Sequence, residues 1–132
     1  MAGNDQSNPD SAMPVYIAGG SGHGSGWAKT ANGTPLTTTA AATVMAAMEG
    51  MRQYITGIQL VASNNTATVI KVIDDTTVIW ETYLAGSNSN GASVQPISFT
   101  TPIVCSENKP LKIQAGTGGC SVYWNMQGYS AT

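Results

Sequence analysis

The sequence predicts an all-β fold: an antiparallel β-sandwich of jelly-roll type with an extended Gly-rich N-terminal arm. Three observations predict it. From about residue 52 to 129, short stretches alternate apolar and polar residues with a period of two, the pattern of half-buried strands. Polar turn residues interrupt them at the spacing expected of a sandwich or jelly roll. Apolar residues make up 42% of the 132-residue chain, enough for one core, while charged residues make up only 9%, against about 25% in an ordinary soluble domain. The organisation read from this is an arm over residues 1–34 and a sandwich over 35–132.

The arm begins with a polar stretch over residues 1–14. Gly19, Gly20, Gly22, Gly24 and Gly26 follow in close succession, and so many glycines disfavour helix and weaken a strand. A small apolar island, Met13-Pro14-Val15-Tyr16-Ile17, lies inside the arm. It has no core of its own and would order only by adding to a sheet edge or lying in a neighbour's groove. Residues 36–45 are rich in Thr and Ala and are read as the first strand, although Ala40-Ala41-Ala42 and Ala46-Ala47-Met48 favour helix.

A turn near Gly50 leads into the second strand. There Tyr54, Ile58, Leu60 and Ala62 are expected on one face, with Gln53, Ile55, Gln59 and Val61 on the other. Ser63-Asn64-Asn65 turns the chain into a strand with Ile70 and Val72 inward and Lys71 outward. Asp74-Asp75-Thr76-Thr77 reads as a tight hairpin loop. The next strand is expected to share Val78, Trp80 and Leu84 on one face, opposite Glu81. A Gly/Ser/Asn loop over 85–92 precedes a strand whose Pro96 implies an edge or a bulge, with Ile97 and Phe99 inward. Residues 110–114 and 120–127 are read as a closing hairpin, with Val122, Trp124 and Met126 on one face. The total is seven or eight strands, with no internal repeat of solenoid length.

Signals for catalysis are weak. The single histidine, His23, lies in the Gly/Ser stretch, where no packing would hold a general base. The serines beside it lack the glycine pattern of a nucleophile elbow, and no Gly-Lys-Ser/Thr completes a phosphate loop. Cys105, Cys120 and a remote His23 do not make a zinc site. Asp74-Asp75 suits a turn better than a calcium site. No enzyme activity, cofactor or metal is therefore expected. The five basic residues are scattered and the net charge is −2, which disfavours direct nucleic-acid binding. No run approaches the ~18 apolar residues of a membrane helix, and no signal peptide is recognisable. In the hairpin reading Cys105 and Cys120 fall at opposite ends, so two free, partly buried thiols are expected over a disulfide.

With few charges, the surface must be built from Thr, Ser, Asn, Gln and Gly. Neutral polar groups are easier to desolvate than ions, so such a surface suits a molecule packed in an assembly. The residues expected to bind partners are Val15, Tyr16 and Ile17 of the island, Trp27 as an arm anchor, and Tyr83 and Tyr123 on outward strand faces.

Particular segments carry a resemblance. A Thr/Ala segment is followed by Tyr54-Ile55-Thr56-Gly57-Ile58 and by Thr77-Val78-Ile79-Trp80. Phe99-Thr100-Thr101-Pro102 comes next, and Val122-Tyr123-Trp124-Asn125-Met126-Gln127-Gly128-Tyr129 closes the chain. In these, residues 36–132 resemble small β-sandwich virion proteins of tailed bacteriophages, of the capsid decoration or cement type. The Gly-rich first 34 residues, Cys105 and Cys120 depart from that pattern. The resemblance implies a non-enzymatic homotrimer, made in the host cytoplasm, that binds the major capsid protein on the outer surface of the virion. The alternative expectation is a receptor- or glycan-binding module of a head fibre or tail, using Tyr83 and Tyr123 against sugar. A secreted bacterial sandwich is disfavoured by the missing signal peptide.

Overall fold

The computed structural model describes residues 25–88 and 91–132. The described residues hold eight strands, in chain order β1 (Gly26–Thr30), β2 (Ala42–Met45), β3 (Arg52–Ala62), β4 (Thr68–Asp74), β5 (Thr77–Leu84), β6 (Ser93–Val104), β7 (Leu111–Ala115) and β8 (Val122–Ala131). They form two four-stranded antiparallel sheets, in the orders β1-β8-β3-β6 and β2-β7-β4-β5. Consecutive strands thus alternate between sheets except at the β4–β5 hairpin, which is the connectivity of a jelly roll. The described residues include no helix.

The core lies between the sheets. Ile58, Leu60, Val122, Trp124 and Met126 from one sheet meet Ile70, Val72, Leu84, Leu111 and Ile113 from the other. Trp80 on the β5 edge meets Phe99 of β6 edge-to-face at 5.8 Å between ring centroids, closing the side where the two sheets end. This is an arrangement in which the ring quadrupoles attract. Pro96 and Pro102 lie in β6, an edge strand as the proline implied.

Two bulges correct the faces assigned from simple alternation. The register of β3 shifts between Ile55 and Gly57. An odd residue in a strand moves every following side chain to the other face. Ile55 is therefore buried in the core and Tyr54 faces outward, the reverse of the alternating reading. Gln53 is also inward, at 1% exposure. A second shift, between Val72 and Ile73 in the β4–β5 pair, leaves Val78 opposite Ile73 and exposed rather than sharing the face of Trp80.

The chain is also organised differently at three places. The segment read as a strand over 36–45 is split: Leu36 makes an isolated bridge to Val122, and only Ala42–Met45 is a strand. Residues 111–115 and 122–131 are not a hairpin, because β7 pairs with β2 and β4 while β8 pairs with β1 and β3. The glycine-rich linker between them crosses from sheet to sheet. Gly26–Thr30, assigned to the arm, is a strand paired with residues 125–129. The sheet therefore starts within the first 34 residues.

Cys105 and Cys120 are free and buried, the expected outcome, but the geometry differs from the one inferred. Cys105 lies near Asp74, at the end of β4, while Cys120 lies near Thr68, at its start. Six residues of strand rise separate these ends by roughly 20 Å, far beyond disulfide reach.

A candidate interaction surface

The outer face of the β1-β8-β3-β6 sheet follows from the register. Val122, Trp124 and Met126 point into the core, so Tyr123, Asn125, Gln127 and Tyr129 point out. Their cross-strand partners make four rows. The first is Tyr123, Val61 and Val94; the second is Thr30, Asn125, Gln59 and Pro96. The third is Ala28, Gln127, Gly57 and Ser98; the fourth is Gly26, Tyr129, Tyr54 and Val104. None of these residues is charged. Arg52, beyond the fourth row, donates from Nη1 to the Cys105 carbonyl at 3.3 Å, and Lys29 lies on the β1 edge at the level of Met126.

The opposite sheet differs. Its outward positions carry Lys71 across from Glu81 and Gln114, with Lys112 across from Ile73. Charge is thus concentrated on one side of the sandwich. Exposed apolar groups occur on the neutral side at Val94, Val104 and Tyr123, and on the β5 edge of the charged side at Val78 and Tyr83.

The neutral face is ordered by its own side chains. Tyr54 and Tyr129 stack with ring centroids 4.8 Å apart and planes 5° from parallel. Their facing surfaces are therefore occupied by each other rather than presented as a platform. Gln127 lies over Gly57, where an added Cβ would come within 3.2 Å of its amide. Asn125 Nδ2 donates to Gln59 Oε1 at 3.4 Å. The amides keep further donor and acceptor capacity directed at solvent.

Behind this face, a buried amide fastens β1 to the sheet. Gln53 Oε1 accepts from Trp27 Nε1 at 2.9 Å and from Ser130 Oγ at 2.6 Å, while Gln53 Nε2 donates to the Met48 sulfur at 3.4 Å. Trp27, expected as an anchor for a partner's pocket, is half-buried against the protein's own core. Tyr83 and Tyr123, 65% and 42% exposed, lie on outer faces of different sheets and do not converge on one patch. Val15, Tyr16, Ile17 and His23 lie outside the described residues. The neutral face was missed in the sequence because it requires knowing which strands are neighbours. The local hint was the absence of charge across residues 53–62, 93–104 and 122–131.

The other polar cluster lies at the Asp74 end. Asp74 Oδ2 accepts from Ser106 N at 2.9 Å and Ser106 Oγ at 2.7 Å. Its Oδ1 is buried and has no hydrogen-bond partner among the described residues. Burial, with the Asp74 carboxylate nearby, pushes the Cys105 thiol up to about 12, which keeps it protonated and unreactive. Among the described residues no group of three His, Cys, Asp or Glu side chains is placed to hold a metal ion. No helix among them is long and apolar enough to cross a membrane.

The geometry defines a jelly-roll β-sandwich with one charge-free sheet face. No protein-family model matches the chain, and no curated protein matches it. Among solved structures, a chain from the capsid asymmetric unit of cyanophage Pam1 is similar, with a TM-score of 0.47 and 19% sequence identity. The match covers 89% of this chain and 93% of that one.

Proposed function

We propose that this protein is a non-enzymatic structural component of a phage virion, a decoration protein that binds the major capsid protein on the outer head surface and stabilises the shell. The observation that carries the reading is a jelly roll with one charge-free outer sheet face, which suits a molecule packed among copies in an assembly. A surface of amides, hydroxyls, tyrosines and valines is desolvated at little cost and gains from shape-matched contact. The sequence resemblance of residues 36–132 to decoration proteins supports the same role. In this reading the chain forms a homotrimer, so each oligomer presents several contacts at once and weak individual contacts add up. Val15, Tyr16 and Ile17 of the leader contact the capsid, while Tyr83 on the β5 edge and Tyr123 on the neutral face pack against a neighbouring subunit; Trp27 is left to its role inside the sandwich.

The test is a heat challenge of particles assembled with and without the protein. Rupture at a higher temperature with the protein bound is the expected result. An unchanged rupture temperature at full occupancy would remove the stabilising role.

A further inference from the structure

We infer that the neutral face of the β1-β8-β3-β6 sheet is the surface by which the chain binds a second copy of itself. This deepens the self-association in the proposed role by naming the face and its occupant.

Three features point to a second copy rather than a different partner. The first is charge. The four rows carry no ion of either sign, so two copies can approach without like-charge repulsion, and a charged partner would find nothing to pair with. The second is hydrogen-bonding capacity. Gln59, Asn125 and Gln127 each bring both donors and acceptors. A surface with both is complementary to itself, whereas a surface of acceptors or donors alone is not.

The third is area. Strands β8, β3 and β6 have 10, 11 and 12 residues and β1 has 5; at about 3.3 Å per residue and about 4.8 Å per strand the face covers at most roughly 600 Å². Two copies then bury at most roughly 1,200 Å² in total, at the threshold for a specific interface. The apolar groups sit at both ends of the face, with Tyr123 and Val94 in the first row and Val104 in the fourth. Each end can thus exclude water from the amides between them. If the copies close a ring of three, this face meets a different patch of the next copy. Val78 and Tyr83 on the β5 edge are the exposed apolar groups available there.

The experiment is mass measurement by light scattering over a range of concentrations on the full chain and on Val94→Lys, Tyr123→Lys and Tyr83→Lys. All three side chains are exposed, and far-UV circular dichroism with a thermal melt checks that each variant folds. The wild type is expected to be oligomeric. Val94→Lys and Tyr123→Lys should each raise the dissociation constant at least about tenfold, because each buries an unpaired charge in the interface. With Tyr83→Lys unchanged, two like faces meet in a dimer, which removes the trimer of the proposed role; with Tyr83→Lys also dissociating, the face meets the β5 edge of the next copy in a ring. Both outcomes retain the face. A monomeric wild type at high concentration, or folded Val94→Lys and Tyr123→Lys proteins that associate like wild type, would overturn it. This readout involves no capsid, so its failure is separate from failure of the particle assay.

Discussion

Replacing Gln53 by leucine tests whether one buried amide holds β1 in the sandwich. The side chains are similar in size, so the change removes hydrogen bonding with little change in packing. Gln53 Oε1 is the acceptor for both Trp27 Nε1 and Ser130 Oγ. A buried donor left unsatisfied costs about 1–3 kcal/mol. Trp27 is half-buried and can recover a water, which puts its loss at about 1 kcal/mol. Ser130 is deeply buried and, among the described residues, its only other acceptor is the Met48 sulfur at 3.7 Å, which puts its loss at about 1–2 kcal/mol. The sum, about 2–3 kcal/mol, corresponds to a fall in Tm of about 6–12 °C for a domain of this size. Differential scanning calorimetry measures it. A double-mutant cycle with Ser130→Ala isolates the pair: Ser130→Ala should destabilise the wild type but be neutral or stabilising beside leucine, where it removes an orphaned donor. A Tm within about 2 °C of wild type, or the same Ser130→Ala effect in both backgrounds, would refute the role assigned to this amide.

Further outcomes are expected from other sites. Gly128→Ala should destabilise by about 3 kcal/mol or more, because its Cβ would run into the Tyr54 carbonyl and lie 2.8 Å from the Trp27 ring; Gly118→Ala, with open space around it, is the control in the same denaturant titration. Asp74→Ala leaves the Ser106 amide and hydroxyl without their carboxylate and should cost about 1–3 kcal/mol by urea unfolding. The Cys105 thiol should not react with a disulfide reagent at pH 8 in the native protein and should react at once when unfolded. Its pKa is raised from 9.0 to about 12, so between these values the unfolded chain has released a proton that the folded chain retains. Its contribution to stability is therefore complete below about pH 9 and declines as pH rises toward 12, which urea midpoints across that range would detect.

The sequence was informative where structure is local. The strands at residues 52–62, 68–74 and 77–84, with their intervening turns, are visible in apolar alternation and in Asp75-Thr76. Pro96 marked β6 as an edge. Alternation failed at the two bulges because nothing in Tyr54-Ile55-Thr56-Gly57 or Val78-Ile79-Trp80 announces an extra residue; the register is set by the partner strand. Strand β1 was obscured by the glycines before it, although Trp27 and Thr30 are good strand formers. The 111–115 and 122–131 pair was misassigned for a different reason. A glycine-rich connection of that length is compatible both with a hairpin and with a crossing between sheets, and only the demand of β3 for a second neighbour decides. The neutral face was invisible for the same reason, since its rows combine residues from four separated strands.

The placement of β8 has a consequence for how the protein is made. Among the described strands it is the sole link between β1 and β3, so the first sheet stays in two pieces until the ten residues of β8 have left the ribosome. Apart from the β4–β5 hairpin, every pairing joins segments far apart in the chain, a topology that folds in about milliseconds to seconds rather than microseconds. Nascent chains therefore wait with their valines and tyrosines uncovered. At high expression, the yield of native protein should be limited by aggregation during synthesis and should improve as translation is slowed or cooled.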